Sequence, residues 1–275
     1  MVPSDGIRLT HPPHQPQART PLARGRAFWG VSMEKIKGFV LYDGPSLLDG
    51  ATSIVMIMTL GSGNRKTGDM VQTWILRKDA SPTDAVRDGS DSSICGDCPH
   101  RGPFATRTCY VTVFQAPRSV WAAYQRGLYK YAPSDSEVAA ATAGRMVRLG
   151  AYGDPAAVPA SVLRQAVHGA KGWTGYTHAW RQGFAIADLC MASCETETDV
   201  AQAAAFGFRA FVTTPGPLPR RPGHMVCPAS DEGGHRLTCA ECGACGGVRD
   251  KGARAHVQIA LHGQGAKRAS LRVVA

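Results

Sequence analysis

RMVRLGAYGDPAAVPASVLRQAVHGAKGWTGYTHAWRQGFAIADLCMASCETETDVAQAAAFGFRAFVTT, residues 145–214, alternates between two kinds of apolar pattern. Met146–Tyr152 is β-prone and closes on Gly153-Asp154-Pro155, a stop signal. Ala160–Ala170 has helical composition, and Trp173–His178 reads as a short strand. Ala185–Ser193 reads as a buried strand, and Phe208–Thr214 as another. Glu195–Phe206 reads as a helix with acidic residues in its first turn, where the helix dipole favours them. Strands that alternate with helices predict an α/β fold with a parallel sheet or barrel.

Upstream, Phe39–Tyr42 predicts a strand before the turn Asp43-Gly44-Pro45. Ile54–Leu60 and Met70–Leu76 predict an N-terminal β-hairpin around GSGNRKTGD. Gly61, Gly63, Lys66 and Thr67 suggest a phosphate-binding loop, but no glycine precedes Lys66 and a strand follows, so Asn64, Lys66 and Thr67 read as turn residues. DASPTDAVRDGSDSS (79–93) reads as a polar linker, and Pro117–Tyr131 as an amphipathic helix. Downstream, His224–Cys227 leads into a cysteine-rich loop, and Ala255–Leu261 predicts a last strand.

Nine cysteines fall mostly into two groups. Cys227, Cys239, Cys242 and Cys245 stand at C-x11-C-x2-C-x2-C spacing in a glycine-rich stretch with little apolar area of its own. Four thiolates around a metal or cluster would order such a stretch. Three cysteines at two-residue intervals with a remote Cys-Pro (Cys227-Pro228) are similar to a ferredoxin-type loop, and a four-thiolate zinc site is the alternative. Cys95, Cys98 and Cys109 form the second group. Three ligands leave one position open for a substrate or cofactor, unless His100 closes the site as a zinc knuckle. Cys190 and Cys194 read either as small core residues or as a redox pair.

The formal charge is +10, part of it carried by Arg8, Arg19, Arg24 and Arg26 in the first 32 residues. The rest is scattered without a basic stripe, so nucleic-acid binding is allowed but not indicated. Odd cysteine number, metal-ligand spacing and the lack of a secretory pattern lead to an expectation of a reducing cytoplasm. The apolar run Ile54–Leu60 is too short to span a membrane. Residues 1–32, rich in Pro, His and Arg, are expected to be a disordered leader or a misassigned start; 33–262 are expected to form one domain, and 263–275 a tail. Ligands of parallel α/β folds gather beyond the carboxyl ends of the strands. Here those ends carry Asp154, His178, Ser193, Cys194, Thr213, Thr214, Cys227 and His262.

KTGDMVQTWIL, ICGDCPHRG…TCYV, VRLGAYGDP, GWTGYTHAW and CPAS…CAECGACGG together resemble an uncharacterised group of cysteine-rich phage and mobile-element proteins. The order of strand, cysteine loop, helix and repeated βα units also resembles radical S-adenosylmethionine (SAM) enzymes. That resemblance implies an incomplete (βα) barrel of mostly parallel strands with cysteine loops at 95–109 and 227–245. It implies a [4Fe–4S] cluster on Cys95, Cys98 and Cys109, whose C-x2-C-x10-C spacing departs from the usual C-x3-C-x2-C. It further implies S-adenosylmethionine as small-molecule cofactor, with Gly153, Asp154 and His178 at its binding edge, and an auxiliary cluster on Cys227, Cys239, Cys242 and Cys245. The alternative is a zinc-bearing nucleic-acid-binding or replication-associated protein in which both cysteine groups are structural. A metal-stabilised interaction protein without chemistry is the third class.

Overall fold

Among the described residues ten strands make one sheet: β1 (Gly38–Pro45), β2 (Ser53–Thr59), β3 (Val71–Arg77), β4 (Lys130–Tyr131), β5 (Met146–Tyr152), β6 (Gly172–Thr177), β7 (Met191–Cys194), β8 (Ala210–Thr214), β9 (His224–Val226) and β10 (His256–Ala260). The structure, a computed structural model, describes residues 36–61, 63–248, 255–262 and 266. The expected leader and nearly all of the expected tail lie outside them. The strand order is β4-β1-β2-β3-β5-β6-β7-β8-β10-β9. β2 is antiparallel to both of its neighbours, which confirms the hairpin, and every other pairing is parallel. From β3 to β10 the order never reverses, unlike a doubly wound sheet, which turns back at a switch point. β4 and β9 are edges, and no pairing joins them among the described residues. The sheet is therefore open, and closure into a barrel is not seen.

The central strands carry the core. Ile54–Met58 of β2 are all buried, as are Val71–Leu76 of β3. A strand hidden on both faces reads as a continuous apolar run, which is how β2 stands out in the sequence, whereas β3 also buries Gln72 and Thr73. No helix among the described residues is long and apolar enough to cross a membrane.

Several elements differ from expectation. The segment 79–93 is not a linker: Ser81 caps a helix, α1 (Pro82–Asp88), by accepting from the Asp84 amide, and Gly89 ends it in the left-handed region. A short turn of helix, α2 (Ser92–Cys95), then delivers Cys95. Helix α3 (Ala116–Gln125) stops six residues before the predicted end at Tyr131. Gly127, at φ +68°, closes it, with Gly127 N–H donating to the Tyr124 carbonyl and Leu128 N–H to Ala123, a Schellman arrangement. The chain is thereby released to form β4. Helix α4 (Asp135–Thr142), not foreseen, begins in a capping box between Ser134 and Glu137. Helix α5 is Ala160–Ala166, ending earlier than expected.

Ala185–Cys190 is a turn instead of a strand. Leu189 and Cys190 amides both return to the Ile186 carbonyl, and the Ala187 carbonyl accepts from Val248 of the cysteine-rich loop. Its apolar residues Ile186, Leu189 and Cys190 pack in the core, so composition alone misled. Helix α6 (Glu197–Ala205) follows β7 with a Thr196–Asp199 capping box, and a final short helix, α7 (Cys239–Cys242), has a Thr238–Glu241 box.

The four-cysteine loop does have a core of its own. Met191, Cys227, Ala229, Cys245, Val257 and Ile259 form a buried satellite cluster with Tyr176 and Phe211 against it. Backbone bonds from Cys239 to Lys66 and from Ala240 to Thr67 dock α7 on the hairpin loop. Gly175 N–H donates to the Cys245 carbonyl, and the buried Arg209 guanidinium donates to the Ala244 and Gly247 carbonyls.

Candidate metal centre

A cavity of about 350 Å³ lies against the carboxyl half of the parallel strands. In β5, Arg148, Gly150, Ala151 and Tyr152 line it; in β8, Phe211 and Thr213 alternate along the strand, as do Ile259 in β10 and Leu261 just past its end. Residues two apart share one face of a sheet, so the cavity belongs to one face and to the strand ends above it. Cys95, Cys98 and Cys109 line one side, while Cys227 and Cys239 come from the other cysteine group. Two groups from opposite halves of the chain thus converge on one space.

The first group is held by a buried ionic clasp. Asp91, at the start of α2, accepts from Arg101 Nε and a terminal nitrogen through one oxygen, and from Arg107 through the other at 3.0 Å. Side-chain exposure is 1% for Asp91 and 4% for Arg107, so neither charge is screened by water. The His100 carbonyl accepts from the Thr108 and Cys109 amides and closes the loop. Burial pushes the Cys95 thiol well up, and its neighbours Cys98, Asp91 and Cys109 push the same way. Burial also raises Cys109, against an opposing pull from Arg107. In the second group, burial raises Cys227 and Cys239, and Cys245 reaches about 12. Without a bound cation these thiols keep their protons at neutral pH.

Among the described residues, His100, His178 and Glu195 are the one set of three His, Cys, Asp or Glu side chains whose ligand atoms all lie within 4.8 Å of one another. The sulfurs of Cys95, Cys98 and Cys109 are therefore not all that close, nor are any three of Cys227, Cys239, Cys242 and Cys245. Sulfurs around one tetrahedral zinc would stand about 3.8 Å apart, given Zn–S bonds of roughly 2.3 Å. A cluster that takes one thiolate per iron spreads its ligands wider. His100 does not close the cysteine trio: its Nδ1 pairs with Thr108 Oγ1 at 2.9 Å, and its Nε2 faces Glu195 Oε1 and Thr213 Oγ1.

Comparison of the chain with protein-family models, curated proteins and solved structures finds no match. Its chemistry has to be read from the side chains themselves.

Asp154, His178, Ser193, Thr213, Cys227 and His262, all expected on the strand-end edge, do line the cavity. Their parts differ. Asp154 spends its carboxylate on structure: Oδ1 accepts from the Ala156 amide at 2.9 Å and Oδ2 from the His178 amide at 2.7 Å. It fixes where His178 sits. Gly153 also lines the cavity, but packing explains why it is glycine. Its φ is +81°, and a Cβ there would come within 2.7 Å of the Ile75 Cβ. His178 Nε2 is 3.1 Å from Glu195 Oε1 and 3.9 Å from Cys98 Sγ. Burial pulls the imidazole pKa down, but bonds to Cys98 and Glu195 outweigh it and lift the value to about 10. Burial tends to raise Glu195, yet the two histidines bring it down to about 2.

Cys190 and Cys194 lie in the core, away from the cavity. Burial raises both thiols, Cys194 to about 12. Sequence reasoning missed Glu195, Tyr152, Arg148 and Asp91. The hairpin residues Asn64, Lys66 and Thr67, read as turn formers, reach the cavity as well, and Lys66 Nζ lies 3.3 Å from His262 Nε2. Glu195 had one local signal, its place just before the Thr196 helix cap. The Tyr152 hydroxyl is buried with no hydrogen-bond partner among the described residues, and Cys95, Arg107, Asp91 and Cys109 act on it electrostatically. A buried hydroxyl without a partner costs about 1–3 kcal/mol. A group accepting from it would remove that cost.

Proposed function

We propose that this chain is an iron–sulfur enzyme of radical-SAM-like type, in keeping with its resemblance to such enzymes and to phage and mobile-element proteins. Cys95, Cys98 and Cys109 would hold a [4Fe–4S] cluster facing the cavity, and Cys227, Cys239, Cys242 and Cys245 a second one. The observation that carries this reading is the convergence of Cys95, Cys98 and Cys109 with Cys227 and Cys239 on one cavity at the carboxyl side of a parallel sheet. The orphaned Tyr152 hydroxyl near Cys95 fits an acceptor in that space. The unbroken progression from β3 to β10 also supports an incomplete barrel, because crossovers of one hand then keep their helices on one face and leave the other for the cavity.

A cluster held by Cys95, Cys98 and Cys109 would supply an electron for reductive cleavage of S-adenosylmethionine. The chain's own residues prepare the place. Arg107 sets a positive charge beside Cys95 and Cys109 and favours their thiolate forms. Arg148, bonded to the Tyr110 hydroxyl, is near enough to Cys239 and Cys245 to do the same for the second group. Phe211, Ile259, Leu261 and Val111 give the cavity apolar walls that limit water. Asp154 positions His178 at the rim.

Anaerobic purification with iron and sulfide analysis tests the proposal. Two clusters per chain, with 5′-deoxyadenosine formed on reduction in the presence of S-adenosylmethionine, are expected. Cys109→Ala should abolish cleavage while the four-cysteine group keeps its iron. Colourless protein holding stoichiometric zinc would overturn the reading.

A further inference from the structure

The His100, His178 and Glu195 side chains meet at a point beside Cys98. Glu195 Oε1 lies 3.1 Å from His178 Nε2 and 3.3 Å from His100 Nε2. An ion bound at roughly 2.1 Å by each ligand would set such atoms about 3.0–3.4 Å apart, between octahedral and tetrahedral geometry. From these separations we propose that His100, His178 and Glu195 form a separate binding site for a divalent transition-metal ion. Two imidazoles and one carboxylate are the donor set that suits ions such as Mn²⁺ or Fe²⁺ and leaves coordination positions open.

Each ligand comes from a different element and is oriented by its own support. His100 is on the closed loop before Cys109, with Nδ1 against Thr108 Oγ1 at 2.9 Å. An outer partner of this kind fixes which ring nitrogen faces the ion. His178 follows β6, its amide held by Asp154 Oδ2. Glu195 follows β7, its amide donating to Asp199 Oδ2 at the start of α6. All three side chains are mostly buried, at 16%, 21% and 29% exposure, too enclosed for an ordinary solvated ion pair. His100 and His178 line the cavity and would present the ion to it. Cys98 Sγ, 3.9 Å from His178 Nε2, is the neighbouring thiol.

Mn²⁺ separates this site from the cysteines, because it prefers oxygen and nitrogen donors to thiolates. The full chain is titrated with Mn²⁺ alone, and the free-ion electron paramagnetic resonance signal is followed. One bound equivalent is expected. Glu195→Gln and His100→Gln should each weaken binding at least about tenfold, and Thr108→Ala about tenfold through its support of His100. Melting temperature is recorded for each variant, and any one that folds suffices for the comparison. A chain with both Cys95→Ser and Cys109→Ser should still bind Mn²⁺, whatever becomes of its iron. Absence of binding by the unaltered chain overturns the proposal. So does unchanged affinity in a folded Glu195→Gln or His100→Gln variant, or loss of binding with the cysteines.

Discussion

Asp91→Ala should be among the most damaging single changes in this protein, although the residue touches no ligand. Its carboxylate, 1% exposed, is what neutralises Arg107, itself 4% exposed, and it also takes two bonds from Arg101. Removing one partner of a buried ion pair deprives the other charge of its carboxylate, at a cost of about 3–5 kcal/mol. Arg101 offers the internal control. Its side chain is 25% exposed and can return to water, and Arg107 stays paired when Arg101 is shortened. Arg101→Ala should therefore cost about 1 kcal/mol or less, as half-solvated pairs do. In a domain of this size 1 kcal/mol moves the melting midpoint by about 2–4 °C, so Asp91→Ala should lower it by about 6–20 °C. Thermal unfolding by circular dichroism, with iron content measured on the same samples, reads both stability and the state of the Cys95–Cys109 loop. If Asp91→Ala melts within about 4 °C of the unaltered chain, the buried clasp does not hold that loop. Arg101→Ala as harmful as Asp91→Ala would likewise defeat the burial argument.

Cys242→Ser should release the metal of the four-cysteine group and open residues 227–247 to protease, because metal-binding free energy there is also folding free energy; unchanged metal content and digestion would remove the site. Gly153→Ala should cost about 2 kcal/mol or more, since it puts an L side chain at φ +81° against Ile75, and a neutral change by chemical denaturation would contradict the packing. Cys190→Ala should keep its full iron complement, as its sulfur is buried in the core beside Gly175; loss of iron would make it a ligand.

Local pattern was enough for much of this protein. The β2–β3 hairpin was legible because β2, buried on both faces, is a nearly unbroken apolar run and β3 is rich in β-branched and aromatic residues, and β5 because Gly153-Asp154-Pro155 stops it. Since parallel strands point one way, knowing their ends also located an edge, and Asp154, His178, Ser193, Thr213, Cys227 and His262 meet there. Cysteine spacing sorted the thiols into two groups along the chain. Where the pattern failed, contacts distant in sequence had taken over. Ala185–Cys190 is apolar enough for a strand but folds as a turn beneath Val248, and Asp91 sits in a stretch polar enough for a linker yet is buried by Arg101 and Arg107. The tertiary structure alone decided that the two thiol groups share a cavity and that Glu195 joins His100 and His178. Both facts depend on how βα units from separate parts of the chain are laid side by side, and no spacing within one segment encodes that distance.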